Sequence, residues 1–387
     1  VVVNDGSKDK TLELLKQAFK LVEVPLAVER KLTTKPVRAM YISTIHPRIT
    51  VVDKENGGKA DALNAGINAS SFPLFCAVDS DSLLDRTGLL KAVRPFIEDT
   101  STVAVGGIVR IANGCTVEDG QIIHPVIPKN HWARFQVVEY LRAFLFGRMG
   151  WDALNSLLVI SGAFGLFSKR AVLEVGGYET NSIGEDMELV VRMHRVLRRQ
   201  DKPYRITFVP DPVCWTEVPE SAQQLRAQRM RWQNGLTDAL WRNRTLFYNP
   251  KYGWIGIFAY PFFVVFELLG AVVEAAGFVF FLWTWLTGLV DPYFASLFLM
   301  VAVALGVFLS LSSIALEELF FHRYLGWRQV VLLFCYGILE NIGYRQLLSL
   351  WRLKGLINYI RGNHKWGDMQ RTGLGQNTSP MHKGVKA

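Results

Sequence analysis

Cysteine is scarce. Cys76, Cys115, Cys214 and Cys335 are the only four in 387 residues, and no two share a CxxC spacing. That excludes a disulfide-stapled secreted scaffold and a thiolate zinc site, and it predicts reduced, buried thiols suited to a cytosolic domain. No basic-aromatic module of the kind that reads nucleic acid is present, and no internal repeat, so nucleic acid is not an expected partner. No signal peptide is visible, which is uninformative in a chain that does not begin like a natural protein. The chain lacks an initiator methionine and opens inside an apolar strand, Val1-Val2-Val3, which predicts a fragment whose fold starts upstream.

What is present is unevenly spread. Lys and Arg number 43 against 34 acids, for a formal charge of +9, and half the residues are hydrophobic. The apolar excess collects after about residue 253. A basic chain of this kind suits anionic lipid headgroups or an anionic substrate.

The first part alternates strands and helices. Val1–Val3 runs into a turn and a helix over about 9–20. Ile49–Val52 runs into the Gly-rich loop before a helix from Lys59. Leu74–Val78 is a buried strand that ends in "DSDS". This alternation predicts a parallel α/β sheet with crossovers, whose ligands bind at the carboxyl ends of the strands. Asp5, Asp79 and Asp81 all fall at such ends. Residues 131–160 predict an amphipathic helix. Its apolar stripe is Trp132, Phe135, Val138, Leu141 and Leu145, with Arg134, Arg142 and Arg148 on its other faces; a core helix is favoured over an interfacial one.

Three apolar blocks follow. Tyr293–Leu316 carries no charge and is long enough to cross a bilayer. Trp254–Val290 contains Pro261, Glu267 and Glu274. Each acid costs roughly 2.5–3.5 kcal/mol in mid-membrane, against about 0.3–0.6 returned by each large apolar residue. Glu267 and Glu274 lie seven apart, so one helical face can turn both toward protein. Gln329–Leu350 contains Glu340 and Arg345. Basic residues flank both ends, so both ends are expected on the cytoplasmic side. Three crossings would separate them, so the third block is expected partly in the interface.

Four short stretches carry the chemistry. Asp79 and Asp81, separated by Ser80, form either a solvated turn or a pair of hard oxygen ligands for Mg²⁺ or Mn²⁺ against a diphosphate. Gly57-Gly58-Lys59 is either a simple loop-to-helix turn or a phosphate cradle at a helix N-terminus. Glu185-Asp186 either caps a helix electrostatically or supplies a general base for a sugar hydroxyl. Gln228, Arg231 and Trp232 fall at i, i+3 and i+4 on one helical face. They form either a cationic interfacial helix with a Trp anchor, or a phosphate fork beside a flat platform for a sugar ring.

The order of these pieces, with Gln-x-x-Arg-Trp just ahead of apolar helices, resembles the membrane-integrated family 2 glycosyltransferases. That group includes the cellulose, chitin, hyaluronan and poly-N-acetylglucosamine synthases. The resemblance runs from residue 1 to about 370 and is carried most specifically by Gln228, Arg231 and Trp232. It implies a GT-A-like, mostly parallel sheet with flanking helices over 1–222, lacking its start. An amphipathic interfacial segment over 223–252, transmembrane or interfacial helices over 253–350 and a basic cytoplasmic tail over 351–387 would follow. It further implies an inverting, metal-dependent transfer from a UDP-sugar, with UDP-N-acetylglucosamine the favoured donor, onto a growing β-linked polysaccharide. Asp5 and Asp79 would meet the uridine and ribose, with Lys59 near them. Asp81, with Asp79, would hold Mg²⁺ or Mn²⁺. Asp186 would be the base, supported by Glu185. Gln228 and Arg231 would hold the diphosphate, and Trp232 the acceptor sugar. The chain would sit in the cell membrane as a multi-pass protein with a cytoplasmic catalytic domain and export partner proteins. The alternatives are a single transfer to a membrane lipid, or a silent scaffold, against which every expected acid is present.

Overall fold

The computed structural model describes residues 1–25, 29–321 and 326–362. Runs of β-branched residues closed by polar turns set its strands. β1 (Val2–Asp5), α1 (Thr11–Phe19), β2 (Leu21–Val24), β3 (Val37–Ser43) and β4 (Thr50–Lys54) build a first sheet of order β1-β4-β3-β2. After α2 (Lys59–Ala69) come β5 (Leu74–Val78), β6 (Ser82–Leu84), α3 (Gly88–Glu98) and the long central β7 (Thr102–Ile111). A hairpin of β8 (Thr116–Glu118) and β9 (Gln121–His124) precedes α4 (His131–Tyr140), a π-helical turn over Leu141–Phe146, and α5 (Gly147–Ala153). β10 (Phe164–Ser168), α6 (Lys169–Glu174), α7 (Glu185–Arg199) and β11 (Arg205–Thr216) complete a second sheet of order β5-β10-β7-β11-β6.

The class is α/β, but the sheets are mixed rather than mostly parallel. Among the described residues, only β1 with β4 and β7 with β11 run parallel. The other ladders of the two sheets are antiparallel. Helix-sized gaps imply crossovers, yet β2, β3 and β10 enter as antiparallel neighbours, and their apolar runs carry no mark of direction.

α8 (Ala222–Arg242) starts at Ser221, whose Oγ accepts from the Gln224 N–H at 3.3 Å. α9 (Ile255–Leu268) and α10 (Gly270–Leu286) meet at a 47° bend. α11 (Pro292–Phe320) has 29 residues. At 1.5 Å per residue it is about 43 Å long, enough for the roughly 30 Å apolar thickness of a bilayer. α12 (Trp327–Leu339) has 13 residues. Past its end, Ile342 and Gly343 leave helical geometry before α13 (Arg345–Ile360). At roughly 20 Å, α12 is too short to cross. α13 turns aside and lies along α8, close enough that a Cβ on Gly355 would sit 3.1 Å from Met230 Cα. The third block is therefore not one span. The tail beyond residue 362 lies outside the described residues.

One core joins the sheet to these helices. Ala104 and Ile108 of β7, Ile206 of β11, Leu189 and Met193 of α7 and Leu145 of the π-helical turn pack together, and the cluster continues to Ile314, Leu333 and Tyr336 of α11 and α12. The stripe expected over 131–160 points into this packing, with Val138, Leu141 and Leu145 buried. The helical run ends at Ala153, short of 160, and Asn155 follows with a left-handed φ of 46°. The arginines of this run are not mere surface decoration. Arg142 pairs with Glu340 at 2.9 Å, Arg134 Nε donates to the Pro128 carbonyl, and Arg148 is buried. A buried pair, Arg110 of β7 with Glu317 of α11 at 2.6 Å, also ties sheet to membrane-type helix. All four cysteines are free; Cys115 and Cys214 are buried as expected, Cys76 is half-buried and Cys335 is exposed.

Candidate active site

Asp79 follows β5 directly, and Asp81 precedes β6, so a two-strand turn presents both carboxylates at one edge. Gly58 takes a φ of +86° to start α2, a conformation that favours glycine. This aims Lys59 at Asp79, with Nζ 2.5 Å from Oδ1. The same ammonium lies 3.7 Å from Glu185 and donates to the Gly162 carbonyl at 3.3 Å. Burial works against the Lys59 charge, but the Asp79 and Glu185 carboxylates outweigh it and hold its pKa above the ordinary value. Burial, reinforced by neighbouring Asp186, pushes Glu185 above the usual carboxylate range, against the pull of Lys59.

Asp186 sits in the first turn of α7. Its Oδ2 accepts from the Gly162 N–H and its Oδ1 from the Met187 N–H, each at 2.8 Å. Two backbone donors thus fix the plane of the carboxylate, as a base must be fixed to meet a hydroxyl.

Gln228, Arg231 and Trp232 lie on α8 as the helical spacing predicts. All three line a cleft of about 610 Å³ with Lys59, Asp79, Asp81, Glu185 and Asp186. That volume is within the range of small-molecule sites. The cleft extends along α9, α10 and α13 to Glu267, Glu274, Arg345 and Arg352; both acids of the second apolar block line it, yet both are exposed rather than buried against protein.

Asp5 stands apart from these. Its carboxylate accepts from the Gly57 and Gly58 N–H groups at 3.0 and 2.8 Å and from Lys54 at 2.6 Å. It pins the loop that orients Lys59. Lys54 is fully buried between Asp5 and Asp61, at 2.6 and 2.5 Å. The sequence reading passed over it, and its only signal was a charge ending an apolar strand. Arg229 is also new. It stacks 4.3 Å from the Trp232 ring centroid and pairs with Glu139 at 2.8 Å, to which Tyr344 also donates at 3.0 Å. Arg229 borders the i, i+3, i+4 stripe, lines the same cleft and stacks on the tryptophan.

Among the described residues, no cluster of three or more His, Cys, Asp or Glu side chains could hold a metal alone. Asp79 and Asp81 nonetheless fit a hard divalent cation. Mg²⁺-type sites commonly use one or two carboxylates and complete their shell with substrate phosphates.

Residues 6–235 match the family model described as "Glycosyltransferase like family 2", and residues 156–369 match the one described as "Chitin synthase". Curated relatives include the poly-beta-1,6-N-acetyl-D-glucosamine synthase of Staphylococcus aureus, 29% identical over 243 residues, covering 63% of this chain and 48% of that protein. The protein of the same description from Staphylococcus epidermidis is 26% identical over 248 residues, with the same coverage, 63% and 48%. The chain spans about half the length of the curated relatives it matches. A solved structure, the mannosyltransferase PcManGT from Pyrobaculum calidifontis in complex with GDP-Man and Mn²⁺, covers 93% of this chain and 76% of its own, at 15% identity and a TM-score of 0.49.

Proposed function

The chain belongs to glycosyltransferase family 2 and is a glycosyltransferase, and on that footing we propose that it moves a sugar from a UDP-sugar onto a growing β-linked polysaccharide, inverting the anomeric carbon. One observation carries this reading: a single cleft collects Asp79, Asp81, Lys59, Glu185, Asp186, Gln228, Arg231 and Trp232. The similarity to the staphylococcal poly-beta-1,6-N-acetyl-D-glucosamine synthases supports UDP-N-acetylglucosamine as donor.

Asp186 accepts the proton of the acceptor hydroxyl. The hydroxyl oxygen bonds to the anomeric carbon as the bond to the UDP oxygen breaks, and the electron pair leaves on the diphosphate. Lys59, Gln228 and Arg231 meet that growing charge from preset positions, which is where electrostatic catalysis is strongest. Asp81 and Asp79 would hold Mg²⁺ or Mn²⁺, which supplies further charge stabilisation to the departing diphosphate. Glu185 and Asp79 keep Lys59 charged. Asp5, through Gly57 and Gly58, keeps the Lys59 loop in place. Trp232 offers the acceptor sugar an apolar face.

We place the protein in the cell membrane. α11 and the bent α9–α10 pair supply two crossings, which leave the basic flanks, with Arg242, Arg244 and Lys251 before and Arg352, Lys354 and Arg361 after, on one cytoplasmic side. The polar lining that runs from the donor end to Glu274 and Arg345 suits a sugar chain leaving toward the membrane and its export partners.

The test is UDP release by the full-length protein in vesicles, with UDP-N-acetylglucosamine, UDP-glucose and UDP-glucuronate offered separately, with and without Mn²⁺, beside Asp186→Asn. Metal-dependent turnover of one donor to a polymer, lost by at least ~10²-fold in the variant, is expected. Turnover that survives in the variant would remove Asp186 as base, and a single-sugar glycolipid product would replace the polymer with a lipid acceptor.

A further inference from the structure

Arg148 lies on α5, directly after the π-helical turn. Such turns inside α-helices are frequent at functional sites. Its side chain is only 6% exposed, yet it lines the cleft beside Ser161, Gly162 and Asp186. Its guanidinium lies 4.4 Å from the centroid of Phe144, which neighbours Trp232. Among the described residues, its Nη1 finds no hydrogen-bond acceptor.

The contrast with other buried arginines is sharp. Arg110, Arg192 and Arg229 each have a carboxylate within 2.8 Å. Arg148 has no such pair among the described residues. Burial brings its pKa down to about 10 against the opposing field of Asp186. The oxygens of Asp186 are already bound by the N–H groups of Gly162 and Met187. A buried cation without a fixed partner is costly to fold, and a protein that keeps one at the wall of a cleft holds a site for an arriving anion.

We propose that Arg148 is a further binding residue of the transfer reaction, meeting an oxygen of the donor's diphosphate from the helical run that brings Phe144 against Trp232 of α8. This rests on the family 2 reading above, which supplies the diphosphate. Arg231 and Arg148 would then contact it from two different elements.

The experiment measures binding of UDP and of uridine, with Mn²⁺, to the detergent-solubilised full-length protein by calorimetry, for wild type, Arg148→Gln and Arg148→Lys. A charge-assisted hydrogen bond predicts that Arg148→Gln weakens UDP roughly 10- to 100-fold while uridine stays within about twofold. Arg148→Lys, which keeps the charge but loses the fork, should fall between. Equal losses for UDP and uridine would make Arg148 a structural residue and overturn the proposal, as would unchanged UDP binding in either variant. If Arg148→Gln does not fold, Arg148→Lys decides by the same ratio. Wild type that binds neither ligand would instead sink the UDP-sugar reading on which the inference rests.

Discussion

Gly184 and Gly235 touch backbone to backbone. A Cβ on Gly184 would lie 2.8 Å from Gly235 Cα and 2.9 Å from its carbonyl carbon and oxygen. Carbon contacts settle near 3.5–4.0 Å, so Gly184→Ala must part the two backbones by about 0.7–1.2 Å. The obstacle is main chain on both sides, so no side chain can swing away to relieve it. α7 begins at the next residue and carries Glu185 and Asp186; α8 carries Gln228, Arg231 and Trp232 within two turns of Gly235. The substitution therefore spreads Asp186 from Gln228 and Arg231. Overpacking of this kind costs about 1–3 kcal/mol, and a displacement near 1 Å can cost about 10²-fold in rate. Gly150→Ala is the matched control. A Cβ there has nothing within 4 Å, and helix propensity predicts a gain of up to about 1 kcal/mol. Thermal melting and UDP-release kcat should fall for Gly184→Ala and hold or rise for Gly150→Ala. Gly235→Ala, whose Cβ would sit 3.0 Å from Gly184 Cα, should repeat the loss. Wild-type melting and kcat in Gly184→Ala would refute the reasoning.

Three other perturbations test the scaffold around the site. Glu317→Gln leaves Arg110 charged and unpaired where both side chains are 2% exposed; a loss of roughly 3–5 kcal/mol is expected, largely recovered in Arg110→Met/Glu317→Met, and a detergent melt in which the single variant matches wild type counts against it. Lys54→Met strands Asp5 and Asp61 together; it should destabilise by a similar few kcal/mol and raise the donor KM through the loosened Gly57-Gly58 loop, whereas an unchanged KM would detach that loop from donor binding. Burial holds the folded-state pKa of Glu185 above its unfolded value, so the folded chain binds the extra proton in between. That contribution to stability is complete below the unfolded pKa and is lost as pH rises through the folded one. The melting difference between Glu185→Gln and wild type should therefore shift toward the variant as pH rises above the ordinary carboxylate range, and a flat difference would contradict the assignment.

The site was more legible in the sequence than the sheet was. Asp79, Asp81, Glu185, Asp186, Gln228, Arg231 and Trp232 could be picked out because each follows a local break in pattern: a strand end, a helix start, or a polar stripe on a basic helix. The structure places all seven along one cleft. Asp5 shows the limit of that logic. It also ends a strand, but its partners Lys54, Gly57 and Gly58 lie some fifty residues away, and no local pattern reveals that they occupy its oxygens. Strand direction is equally non-local. Phe164–Ser168 reads as an apolar run, yet its antiparallel place between β5 and β7 depends on chain path. Arg148 was visible only as one of three basic residues on an apolar helix. Its burial, in the cleft wall against Phe144, is a tertiary fact that amphipathic spacing underdetermines. The glycine before Glu185 acquires its reason only when Gly235 is seen against it.

The structure also explains why the membrane-type helices are not a detachable anchor. α8 contributes Gln228, Arg231 and Trp232 to the cleft on one side and takes α13 against Met230 on another. Glu139, on α4, holds Arg229 of α8 and Tyr344 at the head of α13 through one carboxylate oxygen. α11 is fixed to the central strand by Arg110–Glu317, and to the α12–α13 break through Ser310, which donates to Glu340, itself paired with Arg142. Buried ion pairs contribute little net stability compared with apolar packing, but they penalise every misaligned arrangement heavily. Their value here is register. Gln228, Arg231, Trp232 and the polar lining toward α10 sit on elements cross-tied at charged points. On the proposed polysaccharide reading, a sugar chain extended at Trp232 would start at a height above α10 and α11 set by these ties, which a flexible tether between a soluble enzyme and an anchor would not provide.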